Sequence, residues 1–356
     1  MFPTRSIAFM NLSLTAIFSM SSVFGAIALP SFLPERSMTI SENPILVYSS
    51  EIPRRVVSTA ITPPAHLLFV GDIMLARGVE WRIGKNNLNY PLADITDFIS
   101  KADLTIGNFE GTIRDKPNQE LDGFTFDTTP AIAGILPTAG FDVVSLSNNH
   151  SDNHGAAIVS YTRQTLINLG VTPFGDPYES KNFVAHKTVN GIPVAFIGFH
   201  AFGEDPESIL PTIEAEKAAG NFVVVLPHWG NEYESTPSLA QTDAAHLFID
   251  HGANAIIGAH PHVIQAYENY KGVPIIYSLG NFLFDQDWSV PTQQGLALGF
   301  DIDSSSIQLT FTPISVIKSH TTIMGADEAA KVLSEHNLPV TLRISRPIVQ
   351  NTAAQQ

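Results

Sequence analysis

Asp72, Glu110, Asn149, His150, His228, His260 and His262 are the residues through which this chain could do chemistry, and each closely follows an apolar run. LLFV leads into Gly71-Asp72, DLTI into Gly107-Asn108-Phe109-Glu110, and VVSLS into Asn148-Asn149-His150. VVVLP leads into His228, and AIIGA into His260-Pro261-His262. Carboxylate oxygens, an amide oxygen and imidazole nitrogens, with no thiolate, suit zinc, manganese, iron or a similar divalent ion. His260 and His262 would share a face on a regular strand, whereas in a loop they could diverge toward different ions. Singly, each has an ordinary reading. Asp72 could cap a turn or helix, Asn148 and Asn149 could cap a helix starting near Gly155, and His228 could be structural. His66, His186, His246 and His251 read as surface or core histidines. Ligand-type residues that repeatedly end buried runs, in chain order, are hard to obtain as independent caps. Together they predict a metal site.

Delivering these residues to one place is the work of strands. HLLFV, DLTIGNF, DVVSLS, PVAFIGF, NFVVVLP, NAIIGA and VPIIYSL are short and nearly continuous in apolar residues, as in strands buried on both faces. Between them lie stretches of helical period: PLADITDFISKA, AAIVSYTRQTLINLG, PESILPTIEAEKAAG and SLAQTDAAHLFIDHG. Pro211 marks the start of the third helix, while Gly170, Gly220 and Gly252 act as stops. Alternating strand and helix means an α/β domain, whose ligands bind at the carboxyl ends of its strands. After about residue 295 the pattern turns to alternating strands, GLALGFDID and SIQLTFTPI, then a short helix, DEAAKVLSEHNL, and a polar tail.

Composition narrows the class. The 356 residues are 44% hydrophobic and 15% charged, enough apolar content for a large core. The absence of cysteine excludes disulfides, thiolate metal sites and a thiol nucleophile, and a net charge of −15 argues against a nucleic-acid binder. Residues 1–30 have Arg5 near the start, an apolar middle and small residues at Gly25, Ala26 and Ala28. They read as an export signal, with an uncleaved membrane anchor as the alternative. No cysteine is present for a lipoprotein anchor. Residues 31–63 read as a Pro/Ser-rich linker, 64–320 as the folded domain, and 321–356 as the short helix and tail. An extracytoplasmic location is expected, in the periplasm or cell envelope or secreted, with a membrane tether as a variant.

Six ordered motifs carry a family resemblance over roughly residues 66 to 300. They are Gly71-Asp72-Ile73-Met74-Leu75-Ala76-Arg77, Gly107-Asn108-Phe109-Glu110-Gly111, Ser145-Leu146-Ser147-Asn148-Asn149-His150, His228-Trp229-Gly230-Asn231-Glu232-Tyr233, Gly258-Ala259-His260-Pro261-His262-Val263-Ile264-Gln265, and Tyr277 through Gln286. The chain resembles the CapA family, named for capsule and poly-γ-glutamate biosynthesis and related to calcineurin-like metallophosphoesterases. The resemblance implies an α/β/β/α sandwich of two mixed sheets flanked by helices. It also implies that Asp72 and a bridging Glu110 are metal ligands, that Asn149 is the amide ligand, and that His150 is the catalytic histidine. His228 and His260 then look like ligands of one ion and His262 of the other. The first phosphoesterase motif is Asp-x-His, but Met74 stands in the third position here, so one ion loses an imidazole. Asn153, beside Asp152, stands where an Asp is common.

Two ions ~3.5–4 Å apart can activate water and stabilise the charge of an attacked phosphoryl or acyl centre. His150 would donate a proton or hydrogen bond to the leaving or a non-bridging oxygen, and Arg77 would clamp an anionic group. Asn281 and Asp285 close another strand at the same edge and are candidate substrate contacts. Glu232 and Tyr233 are expected to order the loop carrying His228. Two functions follow. One is a metal-dependent, phosphoesterase-like hydrolase acting on an anionic polymer or phosphoester. The other is a non-catalytic polyanion-binding accessory of a membrane-bound polymer synthesis machinery.

Overall fold

The apolar runs fold as strands covered on both faces, which is why they lack the alternation of half-exposed strands. The structure, a computed structural model, describes residues 63–116 and 124–345. The signal or anchor expected at 1–30, the linker up to residue 62, and the end of the tail at 346–356 lie outside the described residues.

The chain begins β1 (Ala65–Ile73), α1 (Arg77–Lys85), α2 (Thr96–Ile99), β2 (Leu104–Phe109), β3 (Thr112–Ile113) and β4 (Asp127–Thr128). It continues α3 (Pro130–Ala133), α4 (Ile135–Ala139), β5 (Val143–Ser145), α5 (Ala156–Asn168) and β6 (Thr172–Phe174). Next come β7 (Ala185–Val189), β8 (Ile192–His200), α6 (Leu210–Ala218), β9 (Phe222–His228), α7 (Leu239–Asp250) and β10 (Ala255–Ile257). Then follow β11 (Tyr267–Tyr270), β12 (Val273–Ile276), β13 (Asn281–Leu283) and β14 (Gln294–Ile302). β15 (Ser306–Ile317), β16 (His320–Ile323), α8 (Ala326–Glu335) and β17 (Thr341–Ser345) complete it.

Two mixed sheets result. The larger runs β16-β15-β14-β1-β2-β5-β6, with β13 pairing the end of β1 and β17 pairing β15. The smaller runs β11-β12-β10-β9-β8-β7. β1, β2, β5 and β6 are parallel, as are β8, β9, β10 and β12, so each sheet gathers its strand ends at one edge. The inner faces share one apolar layer containing Phe69, Phe174, Phe196, Phe222 and Phe300. Phe69 meets Phe300 edge-on at 5.7 Å. The outer face of the larger sheet packs on helices through Val79, Ile99, Leu136 and Leu166, and that of the smaller sheet through Ile213 and Phe248. This is the expected α/β/β/α sandwich. Burying aromatic side chains of this size contributes about 1.5–3 kcal/mol each relative to exposure.

Local differences from the sequence reading have simple causes. The helical stretch at 91–102 breaks into a 3-10 turn at Tyr90–Leu92 and the four-residue α2. Leu92, Ile95 and Ile99 are all buried by these short turns, so a continuous helix is not needed to hide them. α6 starts at Leu210 with Pro211 in its first turn, where no intrahelical donor is required. Thr341–Ser345, read as tail, pairs antiparallel with β15 and turns Leu342 and Ile344 toward the inner layer. Two apolar positions are too few to announce a strand.

Candidate metal centre

Asp72 reaches the sheet edge through a register shift in β1 between Phe69 and Asp72. Its backbone N–H donates to the Gly280 carbonyl at 3.1 Å. That approach explains Gly71, since a Cβ there would lie 1.8 Å from the same oxygen. The carboxylate is fully buried. Asn108 Nδ2 donates to Oδ1 at 2.8 Å, the His260 backbone N–H donates to Oδ2 at 3.1 Å, and His262 Nδ1 lies 3.3 Å from Oδ2.

A second group forms around His228, the last residue of β9. Its Nε2 lies 2.8 Å from Asn149 Oδ1 and 3.0 Å from His260 Nδ1, three ligand-type atoms at one point. Asn148 is spent on structure. Its Nδ2 donates to Asn108 Oδ1 and the Phe109 carbonyl, while its Oδ1 accepts from the His150 N–H and Ser151 Oγ. This knits the turn to β2 and leaves Asn149 facing the histidines. His260 and His262 sit in a loop with φ of 97° and 58°, so the alternative of a shared strand face falls away. They diverge, His260 toward His228 and His262 toward Glu110 and Asn281. Left-handed backbone at non-glycine residues costs of order 1–3 kcal/mol each and persists where surroundings enforce it. Arg77 and Tyr233, at the same mouth, are also left-handed, with φ of 49° and 66°.

Glu110 is the least satisfied group. Its side chain is buried, and among the described residues neither carboxyl oxygen has a hydrogen-bond partner. His150 Nε2 and His262 Nε2 each stand 3.7 Å from Oε1, too far for a hydrogen bond. Burial pushes its carboxyl pKa up, reinforced by Asp72 and opposed by His262. The imidazoles follow the same electrostatics. Burial lowers His150 and His260 to about 4 and pushes His228 well below its ordinary value, keeping their lone pairs available. Burial also opposes charge on His262, but the Glu110 and Asp72 carboxylates outweigh it and raise that pKa. An orphaned buried carboxylate costs several kcal/mol unless paired or bound to a metal, on the order given by transfer data. Set among imidazoles of lowered pKa, and beside a His262 whose proton a cation can displace, it fits a divalent ion. Asp72, Glu110 and His228 offer ligand atoms within 4.8 Å of one another, as do Glu232, His260 and His262.

The remaining expected residues lie around this cluster. His150 stacks on Phe126 at 3.8 Å, and its Nδ1 is 3.4 Å from Asn153 Oδ1, which also accepts the Phe126 N–H. Asn153, rather than Asp152, therefore stands behind His150. The Arg77 guanidinium lies over the same ring, 4.4 Å from the Phe126 centroid, and is held by Asp285 at 2.5 Å. Asp285, expected as a substrate contact, holds Arg77 and accepts the Gly78 N–H. Asn281, also expected as a substrate contact, is fully buried behind His262. Its Oδ1 is 3.0 Å from His262 Nδ1, and its Nδ2 donates to Gln286 Oε1 and the Thr292 carbonyl. Met74 offers no ligand here: it is buried in the outer apolar cluster and its sulfur accepts the Ala76 N–H.

Sequence reasoning missed the part played by four residues. Asn108 bridges Asp72 and His228, Phe126 floors His150, and Glu232 joins the second ligand group. His200 lies opposite His228 in the β8–β9 register, with its Nδ1 on the Pro177 carbonyl. It ends PVAFIGF, so the rule that found His228 applies to it equally.

Comparison with known proteins bears on the same residues. Residues 66–286 match the family described as bacterial capsule synthesis protein PGA_cap. The chain is 29% identical over 289 residues to the capsule biosynthesis protein CapA of Bacillus anthracis, covering 72% of this chain and 70% of that one. It is 29% identical over 268 residues to the PGA biosynthesis protein CapA of Bacillus subtilis strain 168, covering 70% of each. A crystal structure of TT1561 of Thermus thermophilus aligns with 66% of this chain and 94% of that chain, at 12% identity and a TM-score of 0.39.

Proposed function

The chain belongs to the bacterial capsule synthesis protein PGA_cap family, and from that premise we propose that it is an extracytoplasmic, metal-dependent hydrolase of anionic cell-envelope polymer or its phosphoester intermediates. The observation that carries the reading is Glu110, a buried carboxyl with both oxygens unpartnered among the described residues and within ligand distance of Asp72 and His228. A pure binding module for a polyanion gains nothing from an unpartnered carboxyl buried at the bottom of its mouth. A pair of cations would make that group useful.

When bound, such ions supply Lewis acidity and a water nucleophile at neutral pH. Asp72, Glu110, Asn149, His228, His260 and His262 would hold them. His150 is held with Nε2 toward Glu110 by the Phe126 face and Asn153, and burial keeps it neutral, able to accept a proton or offer a hydrogen bond to a substrate oxygen. Arg77 presents a positive charge at the same mouth, stiffened by Asp285 and the Phe126 ring, and would orient an anionic group of the substrate. Among the described residues no helix is long and apolar enough to cross a membrane.

The test compares chelated and metal-reloaded protein on a generic phosphodiester and on poly-γ-glutamate. Turnover that depends on metal and falls at least ~100-fold in His150→Ala supports the hydrolase. Metal uptake with no turnover on either substrate transfers the reading to an accessory that grips the polymer for a synthesis machinery.

A further inference from the structure

Glu232 lies outside the strand-end pattern, on the exposed loop after β9, yet its carboxylate comes within 4.8 Å of the ligand atoms of His260 and His262. The loop is strapped there. The Tyr233 N–H donates to the Pro261 carbonyl at 2.8 Å, joining it to the turn between the two histidines. Gln265 Nε2 donates to the Glu234 carbonyl at 2.8 Å and is itself buried, with its Oε1 accepting from Gln241 of α7. A Cβ at Gly230 would lie 2.6 Å from that Gln241 side chain, so the loop leaves β9 against α7 and has little freedom to swing away.

One hydrogen-bonded chain links the two sides of this corner. His262 Nδ1 meets Asn281 Oδ1, Asn281 Nδ2 donates to Gln286 Oε1, and Gln286 Nε2 donates at 3.3 Å to the Oη of Tyr233, the residue next to Glu232. Networks of this kind orient ligating side chains. Here one network braces His262 and Tyr233, the neighbour of Glu232 on the strapped loop. Met74 meanwhile contributes nothing to this corner, its sulfur being occupied by the Ala76 N–H inside the apolar cluster.

We propose that Glu232 is a loop-borne ligand of the ion held by His262, completing a carboxylate-rich coordination shell of the kind favoured by manganese, iron or zinc. The inference rests on the metal-centre reading above. Because Glu232 is exposed while His262 and Glu110 are buried, it is the group through which that ion is loaded and lost. The two ions therefore differ in exchange rate, with the Glu232 side the faster.

The experiment titrates metal-free full-length protein with Mn²⁺ and follows free ion and the spin-coupled signal of a manganese pair by electron paramagnetic resonance. Expected are two ions in the parent, with the weaker one loosened by at least ~10-fold in Glu232→Gln and the pair signal lost at ion levels that fill the parent. Glu234→Gln, which removes a neighbouring exposed charge but no ligand, should leave both ions in place. Two ions of unchanged affinity in Glu232→Gln would overturn the role of Glu232 alone. A parent that takes up no ion would overturn the metal centre, and this inference with it.

Discussion

Phe69 and Asp72 are three residues apart on β1, equally buried, and stand in opposite relations to their surroundings. Phe69 lies in the layer between the sheets, with Phe300 at 5.7 Å and Phe196 at 6.3 Å, amid apolar neighbours. Asp72 opens the edge where the same strands release three close-set imidazoles, an orphaned carboxylate and four left-handed non-glycine residues. The first region gains stability from what it excludes. The second holds features that cost stability unless a cation joins them. The sandwich thus supports its edge, and substitutions in the two regions should have opposite signatures.

The largest contrast comes from Phe69→Ala. It should lower unfolding free energy by about 3–5 kcal/mol in denaturant titration, while folded molecules take up metal as before. A loss below about 1 kcal/mol would break the comparison from the side of the core.

Glu110→Gln should do the reverse. The buried carboxyl has its pKa raised above the ordinary 4.5, so above that pH the unfolded chain releases a proton that the fold retains. Stability of the metal-free protein therefore falls as pH rises from about 5 toward 8. His262 acts in the same direction, because its raised pKa gives stability that is present below 6.5 and lost as pH climbs through the folded value. Removing the ionisable group should make the metal-free variant more stable than the parent at pH 8, on the order of 1–3 kcal/mol, with the gap closing at pH 5. Its metal uptake should be abolished. Thermal unfolding with and without chelator across this range checks both signs.

Asn281→Ala sharpens the comparison at the back of the edge. Freed from its Oδ1 contact, His262 should bind metal about 10–100-fold more weakly while the fold stays intact, measured by competition with a chromogenic chelator. The smallest effect is calorimetric. Because the metal-free pocket holds extra protons on Glu110 and His262, ion uptake should release them and weaken as pH falls. Titration in buffers of different ionisation enthalpy reads the number directly, and zero would mean the pocket is already ionised.

The inner strands were legible because continuous Val- and Ile-rich runs have few other uses, and Asp72, Glu110, Asn149, His228, His260 and His262 because polar residues ending such runs mark the sheet edge. Their division between neighbours was not. That depends on loop backbone at His260 and His262, whose positive φ no spacing rule anticipates. Glu232 enters through the strap between Tyr233 and Pro261, a contact between loops far apart in sequence. Asn281 and Asp285 read alike as polar strand-end residues, and only packing separates the one that braces His262 from the one that grips Arg77. The strand at Thr341–Ser345 was hidden because its neighbours β15 and α8, not its own composition, make it worth pairing.

Anomalous diffraction from crystals of protein purified without chelator and supplied with Mn²⁺ tests the central claim most directly. A metal peak is expected at bonding distance, ~2.0–2.3 Å, from Glu110 and from at least one of His228, His260 and His262. A Glu110 carboxyl found with no ion beside it, at full manganese supply and neutral pH, would contradict it.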